Sequence, residues 1–461
     1  MTMRARAILL TAIAATLIAS APAEARKKRQ PVAPPPAPQV ALPASANGLN
    51  VRYYYERRQY PAIWFGAKGG DEAIGQLLTI LRRAPIDGMS DGPQVAATVE
   101  AAVLRARTGN DPMQVKAAEL ALSAAWTDYI QAIKRPSTNV IYGDPSLAIT
   151  PPHVDRTLAL AEAAPSLAQH LQSVASVNPY YSAIRDVAIA EAIANGGRAS
   201  DKALLNLDRA RIIQGGGKYI LVNSAEQRLY MIEGGQSVGS MKVVVGDLDK
   251  LGLPTPIIAS TMHYAIANPY WHVPDHLVRK FAPGIAKEGE AYMKRNGYEV
   301  ISDFSKNSQV LPTSSVDWKA VAAGTQKALL RQRPNGLNSM GRMKFPFPNR
   351  EGIYLHDTPK REYFSLANRA KSNGCIRIED YRRLANWLFG HDVAAVGSDP
   401  EQHIALPGGV PVYVTYLTMV PSSTGMASFE DRYGWDRPGA MAGGMPAVRG
   451  LASAAGAESA N

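Results

Sequence analysis

A single cysteine, Cys375, occurs among the 461 residues. No intramolecular disulfide can form, and the thiolate clusters of structural zinc sites are excluded. Beyond the leading residues, no stretch approaches the about 20 apolar residues that a membrane-crossing helix needs. The interleaved aromatic and basic residues that hold single-stranded nucleic acid are missing, and no nucleic-acid partner is expected. Acid is in the minority: 39 Asp and Glu stand against 50 Lys and Arg, a formal net charge of +11. Such a balance favours anionic polymers or lipid surfaces. Seven of the eight histidines (His153, His170, His263, His272, His276, His391 and His403) are read as surface or packing residues, and no metal or other cofactor is expected.

What is present begins with residues 1–25, which read as a secretory signal. Arg4 and Arg6 give a positive start, residues 7–20 form a short apolar run, and Ala23-Glu24-Ala25 fits a small-residue cleavage site. The mature chain is therefore expected to be exported. An unpaired thiol kept in an oxidising compartment points to chemical use, with simple burial as the competing explanation. Residues 26–47 join a basic cluster to proline-rich sequence and read as an extended linker.

Residues 48–215 carry helical periodicity, as in Ile74, Leu77, Leu78 and Leu81, or Val115, Leu120, Leu122, Ala125 and Tyr129. Breaks fall at residues 85–93, 136–152 and 195–197, which predicts a helical scaffold domain whose apolar stripes form its core. The aromatic stretch at residues 53–64 is either packing of the first helix or a recognition surface. At Gly215, Gly216 and Gly217 the period changes. Short β-branched or aromatic runs at residues 218–223, 228–233, 240–245, 300–303, 352–356 and 410–420 predict strands, and residues 426–429 are placed to pair back as a hairpin.

Between residues 274 and 338 the strand pattern lapses. Short helices are expected at 276–281, 290–295 and 325–332, in an insertion that caps the strands as a lid or substrate arm. The tail, residues 438–461, is rich in Gly, Ala and Ser and is expected to be disordered. The fold class expected is α+β multidomain, a helical scaffold followed by a mostly β domain over residues 216–437.

Residues 356–377 concentrate the chemistry. Cys375 follows Gly374 directly, and His356 lies 19 positions upstream. An imidazole within hydrogen-bond reach generates the reactive thiolate, and a glycine turn lets consecutive backbone N–H groups face a developing oxyanion. Arg377, two positions beyond the thiol, is suited to hold a carboxylate or to form a structural salt bridge. Tyr354 shares a strand face with His356 and either flanks the substrate or packs in the core.

Ordered segments then carry a resemblance: "KYILVNSAEQRLYMIE" from Lys218, "VVVGDLDKLGLPTP" ending at Pro256, "NPYWHVP" from Asn268, "RQRPNGLNSMGRMKFPFPN" from Arg331, "IYLHDTP" from Ile353 and "SNGCIRI" from Ser372. Together they resemble the YkuD-type L,D-transpeptidases of the bacterial cell wall, in their large YcbB-like branch. The resemblance implies a β-sandwich-like catalytic domain with a capping insertion, in the periplasm of a Gram-negative bacterium. It also implies 3→3 crosslinking of peptidoglycan stem peptides: a tetrapeptide donor acylates the cysteine at its meso-diaminopimelate residue, D-Ala leaves, and a second stem's amine takes the acyl group. Wall or inner-membrane association and acylation by carbapenems are implied too.

Carried onto this sequence, Cys375 is the nucleophile, His356 the base, and Asp357 orients the imidazole through its backbone carbonyl. Backbone N–H groups of Asn373, Gly374 and Cys375 form the oxyanion hole, while Trp271 and Arg342 match positions that line the groove. Asn373 stands where many relatives carry His, and Glu379 where Asn commonly follows. No peptidoglycan-binding repeat separates the two domains. Competing readings are a cysteine peptidase, including an L,D-carboxypeptidase, and a wall-binding protein with an inert thiol. Sortase-like enzymes separate His and Cys by more residues, and NlpC-type peptidases place Cys first.

Overall fold

The computed structural model describes residues 45–440, apart from Asn110, Thr138, Lys306, residues 394–396 and Ser398. The expected signal and most of the expected linker and tail lie outside the described residues. The helical part comprises α1 (Gly48–Arg57), α2 (Asp71–Asp87), α3 (Gly92–Thr108), α4 (Pro112–Ile133), β1 (Ile141–Tyr142), α5 (Val154–Ala163), α6 (Leu167–Ser176), α7 (Pro179–Ala194) and α8 (Asp201–Ala210). Side-chain oxygens of Asp111, Ser166, Asn178 and Ser200 accept from the first-turn N–H groups of α4, α6, α7 and α8. Each satisfies a donor that the helix leaves unpaired.

The first break comes later than expected, because α2 runs through Pro85 and carries Asp87 into the core. Asp87 is fully buried, receives the hydroxyls of Tyr129 and Tyr181 at 2.9 Å each, and lies 3.7 Å from the Arg185 guanidinium. The aromatic stretch at residues 53–64 resolves as packing: Tyr54, Tyr55 and Trp64 are buried, and the Trp64 indole donates to Ser123 Oγ at 2.8 Å.

The β part opens with β2 (Lys218–Asn223), β3 (Arg228–Glu233), β4 (Gln236–Gly246), the single turn α9 (Leu248–Leu251) and β5 (Ile258–Ala267). A separate cap follows: β6 (Trp271–His272), α10 (Asp275–Glu288), α11 (Glu290–Asn296), β7 (Tyr298–Ile301), β8 (Val310–Leu311), α12 (Trp318–Ala323) and β9 (Leu329–Gln332). The chain then returns as β10 (Met343–Pro346), β11 (Tyr354–His356), β12 (Ala370–Ser372), β13 (Ile376–Ile378), α13 (Tyr381–Phe389) and β14 (Gln402–Thr415). The expected hairpin is β15 (Met419–Ser422) with β16 (Gly425–Ser428).

Strand pairing runs β5-β10-β11-β13-β4-β3-β2-β14, and β14 pairs back onto β5. The sheet therefore closes into a circuit around a core that includes Ile220, Val222, Val243, Phe345, Leu355, Ile376 and Val412. Closure removes free edges on these strands and fixes register, since a one-residue slip would turn every core side chain outward. Part of the expected break at 136–152 joins this sheet, with Ile141 of β1 opposite Ile258 of β5.

The cap has its own four-stranded sheet, ordered β6-β9-β7-β8, and its own core around Val278, Ile285, Trp318 and Leu330. Two expectations are corrected here. The cap sheet begins at Trp271, ahead of residue 274, and the helix expected over 325–332 is replaced by strand β9. Residues 329–332 contain good helix formers, but the strand sits between β6 and β7 and buries Leu330 and Gln332 in alternation. Pairing on both edges outweighs local propensity.

Candidate active site

Register on β10, β11 and β13 builds the site. Lys344 stands opposite His356 in the antiparallel pair, and His356 stands opposite Arg377 in the parallel pair. Opposed residues point to the same sheet face, so a lysine, a histidine and an arginine form one cross-strand row. Leu355 pairs with Ile376, which places Tyr354 and Cys375 in the adjoining row on that face. A groove of about 510 Å³ runs above both rows, with Trp271, Phe281, Tyr292 and Tyr298 of the cap along its other wall.

His356 is 3 % exposed, and its Nδ1 lies 2.6 Å from the Asp357 carbonyl. That carbonyl can only accept, so the proton sits on Nδ1 in the neutral ring and Nε2 keeps its lone pair. Burial, then the Arg377 charge and more weakly Lys344, push the ring's pKa down to about 3 against the pull of the carbonyl. The Asp357 carboxylate faces elsewhere, accepting from Arg342 N and Arg361 Nη2 at 2.8 Å each. Gly341 leaves room for it at φ 64°, where a Cβ would lie 2.3 Å from the carboxylate oxygen. The contact that holds the imidazole is thus with the Asp357 backbone and not with its carboxylate.

Cys375 is partly exposed on the groove, and its thiol donates to the Gly352 carbonyl at 3.6 Å. Burial raises its pKa, while the Tyr354 backbone N–H and the charges of Arg377 and Lys344 pull it down. The expected thiol–imidazole hydrogen bond is thus replaced by two carbonyl contacts, one to each group. Raising the thiol and lowering the imidazole both favour the neutral forms of the pair. Burial disfavours the ion pair first, and the ion pair would also set an imidazolium between two cations.

Gly374 adopts φ 110°, and a Cβ there would approach Ile353 Cδ1 to 3.1 Å, so the turn requires glycine. Its N–H is already held by Ser372 Oγ at 3.2 Å, and that hydroxyl donates to the Cys375 carbonyl at 2.6 Å. A side chain therefore already engages the middle one of the three N–H groups, Asn373, Gly374 and Cys375, expected to form an oxyanion hole. Asn373 lies on the groove wall beside Cys375.

Arg377 makes no ion pair with a described residue. Its guanidinium carbon lies 5.4 Å from the Tyr363 ring centre, its Nη1 is buried without a hydrogen-bond partner, and burial lowers its pKa. Tyr354 lines the groove, with Lys344 Nζ 5.0 Å from its ring centre. Trp271 lies on the cap wall, at 6.4 Å from both Phe281 and Tyr298. Arg342 is the exception. Its side chain is exposed and lies outside the groove lining, while its backbone N–H and its charge act on the Asp357 carboxylate.

The basic residue that strand alternation does bring to the groove is Lys344, 3 % exposed, which lies inside one of the segments that carry the resemblance. His272 and His276 stand at a His-x-x-x-His spacing. His272 packs on Phe304, and no group of three or more metal-capable side chains exists among the described residues.

A closed β domain holding a Cys–His pair beneath a separate cap, behind a helical scaffold, defines the class of protein. Comparison makes it particular. Residues 217–414 match the YkuD L,D-transpeptidase catalytic domain, and residues 50–187 match the Scaffold domain. A Haemophilus influenzae protein named "Putative L,D-transpeptidase" is 25% identical over 395 residues, covering 83% of this chain and 77% of that one. The chain thus carries a YkuD L,D-transpeptidase catalytic domain behind a Scaffold domain, an order consistent with the YcbB-like architecture.

Proposed function

We propose that this protein forms 3→3 crosslinks in peptidoglycan through a thioester on Cys375. Nε2 of His356 takes the thiol proton as sulfur attacks the carbonyl carbon of diaminopimelate in a tetrapeptide stem. The carbonyl electron pair moves to oxygen, and the Cys375 N–H receives the oxyanion with help from Asn373 N–H. When the pair returns, the C–N bond to D-Ala breaks, and the imidazolium returns its proton to the leaving amine. A side-chain amine of a second stem then attacks the thioester, gives its proton to Nε2, and displaces the thiolate, which is reprotonated.

The observation that supports this reading best is the row Lys344–His356–Arg377 beside Cys375. Burial and the two cations keep the histidine unprotonated and ready to accept a proton, and the cations face the reacting end of the groove, where a carboxylate of the donor stem would lie. The unpartnered Nη1 of Arg377 suits a carboxylate oxygen. Trp271 and Tyr354 flank the stem in this reading. Export to the periplasm, supported by the character of residues 1–25, belongs to the same proposal.

Incubation with tetrapeptide muropeptides and mass spectrometry of the products tests it. A 3→3 dimer with released D-Ala is the expected result. Stem cleavage without dimer would assign a carboxypeptidase instead, and unchanged muropeptides that remain bound would assign a wall-binding protein.

A further inference from the structure

The peptide group between Gly374 and Cys375 is held from its carbonyl side. Thr255 Oγ1 donates to the Gly374 carbonyl at 2.7 Å and accepts from Gly246 N at 2.8 Å. A trans peptide unit is planar, so fixing its oxygen also fixes the direction of the Cys375 N–H on the opposite side. Thr255 is itself held from far along the chain. The Tyr433 hydroxyl donates to the Gly246 carbonyl at 2.9 Å and accepts from Thr255 N at 3.3 Å. Two hydroxyls thus clasp Gly246 against Thr255, and the approach is close: a Cβ on Gly246 would lie 2.6 Å from Thr255 N.

Tyr433 is anchored in turn. Its ring is buried, stacks on Tyr416 at 4.8 Å and 15°, and lies 4.8 Å from Trp435. Its N–H donates to the Tyr416 hydroxyl at 2.9 Å, which donates to Asp431 at 3.0 Å. Asp436, the residue after Trp435 and mostly shielded from solvent, pairs with the buried Arg209 of α8 at 2.7 Å, and the same guanidinium donates to the Trp435 carbonyl. Neither Tyr433 nor α8 falls within residues 50–187 or 217–414, the stretches that match known domains.

We propose that Tyr433 is a positioning residue for the reaction: acting through Thr255, it aims the Cys375 N–H at the developing oxyanion. Through Arg209 and Asp436, the last helix of the scaffold bears on the same peptide group. The inference rests on the acyl transfer proposed above.

The test uses the full chain and three variants: Tyr433→Phe and Thr255→Val, which remove one hydroxyl each at nearly constant shape, and Thr255→Ser, which keeps it. Two rates are measured: D-Ala release from a tetrapeptide stem, resolved into kcat and KM, and alkylation of Cys375 by iodoacetamide, which forms no oxyanion. Loss of a single oxyanion donor lowers kcat by about 100- to 1000-fold, and misaiming one is expected to lower it by about 10- to 100-fold in the Phe and Val variants. KM and the alkylation rate should stay within about twofold, and Thr255→Ser should recover most of kcat. If kcat stays within about twofold of wild type in both the Phe and Val variants, or if alkylation falls in parallel with kcat, the inference is overturned while the proposed function stands. A wild-type chain that is alkylated yet releases no D-Ala overturns the proposed function, and this inference with it.

Discussion

His356 and Arg377 stand opposite each other in the parallel pairing of β11 with β13, a titratable ring beside a permanent cation on one sheet face. Lys344 closes the row from β10. Replacing either cation should act in two ways. Arg377→Met or Lys344→Met is expected to raise KM for the tetrapeptide stem by about 10-fold, the value of one charge-assisted hydrogen bond, with a smaller change for a donor whose carboxylates are amidated. Equal KM changes for both donors would remove these residues from carboxylate recognition.

The pH profile carries the second effect. With its pKa pushed down to about 3, His356 is an unprotonated base throughout the neutral range. Because kcat/KM reports groups of the free enzyme, no acid limb is expected between pH 5 and 7. In Arg377→Met the largest opposing charge is gone and the limb should move upward. A wild-type limb near pH 6.5 would contradict this electrostatic account.

Stability should depend on pH through two groups that pull in opposite directions. Glu119 is 5 % exposed, accepts Trp64 N at 2.9 and 3.0 Å, and is pushed up to about 7 by burial. Its folded pKa exceeds the ordinary 4.5, so the stability it contributes is present below about pH 4.5 and is lost as pH rises through 7. His356 is lowered instead: below its ordinary 6.5 the unfolded chain binds the extra proton, and stability falls as pH falls toward 3. Urea unfolding at pH 5 and pH 8 checks both. Glu119→Gln should reduce the loss at pH 8 and His356→Gln the loss at pH 5, each by on the order of 1–3 kcal/mol.

The scaffold core offers a further prediction. Asp87→Ala leaves Arg185 buried without its carboxylate and Tyr129 and Tyr181 without an acceptor. A loss of about 3–5 kcal/mol is expected, with a smaller loss for Asp87→Asn, which keeps an oxygen for one tyrosine. Thermal or urea unfolding measures it, and a loss below about 1 kcal/mol would show that the cluster relaxes around the change.

Much of this was legible in the sequence, for identifiable reasons. Helical stripes around Leu77 and Leu120, and alternation at Ile220 and Val412, are periodic signals that match the buried faces. Gly374 beside Cys375 declared the turn, because its φ of 110° suits glycine. Features set by pairing between distant segments were not legible. Strand β9 follows from its two neighbours, the role of Lys344 from its position opposite His356, and the engagement of Gly374 N–H from the rotamer of Ser372. Arg342 does not line the groove because it precedes β10, at a turn where Asp357 takes its N–H and its side chain faces solvent.

The central claim is a thioester on Cys375, and the intact mass of the protein tests it most directly. Wild type, Cys375→Ala and His356→Gln are each mixed with tetrapeptide donor and no acceptor amine, quenched in acid over time, and weighed. Wild type should gain the mass of the stem tripeptide acyl group, His356→Gln should gain it far more slowly, and Cys375→Ala should gain nothing. An adduct on Cys375→Ala, or D-Ala release by wild type with no adduct at any time, would contradict the account.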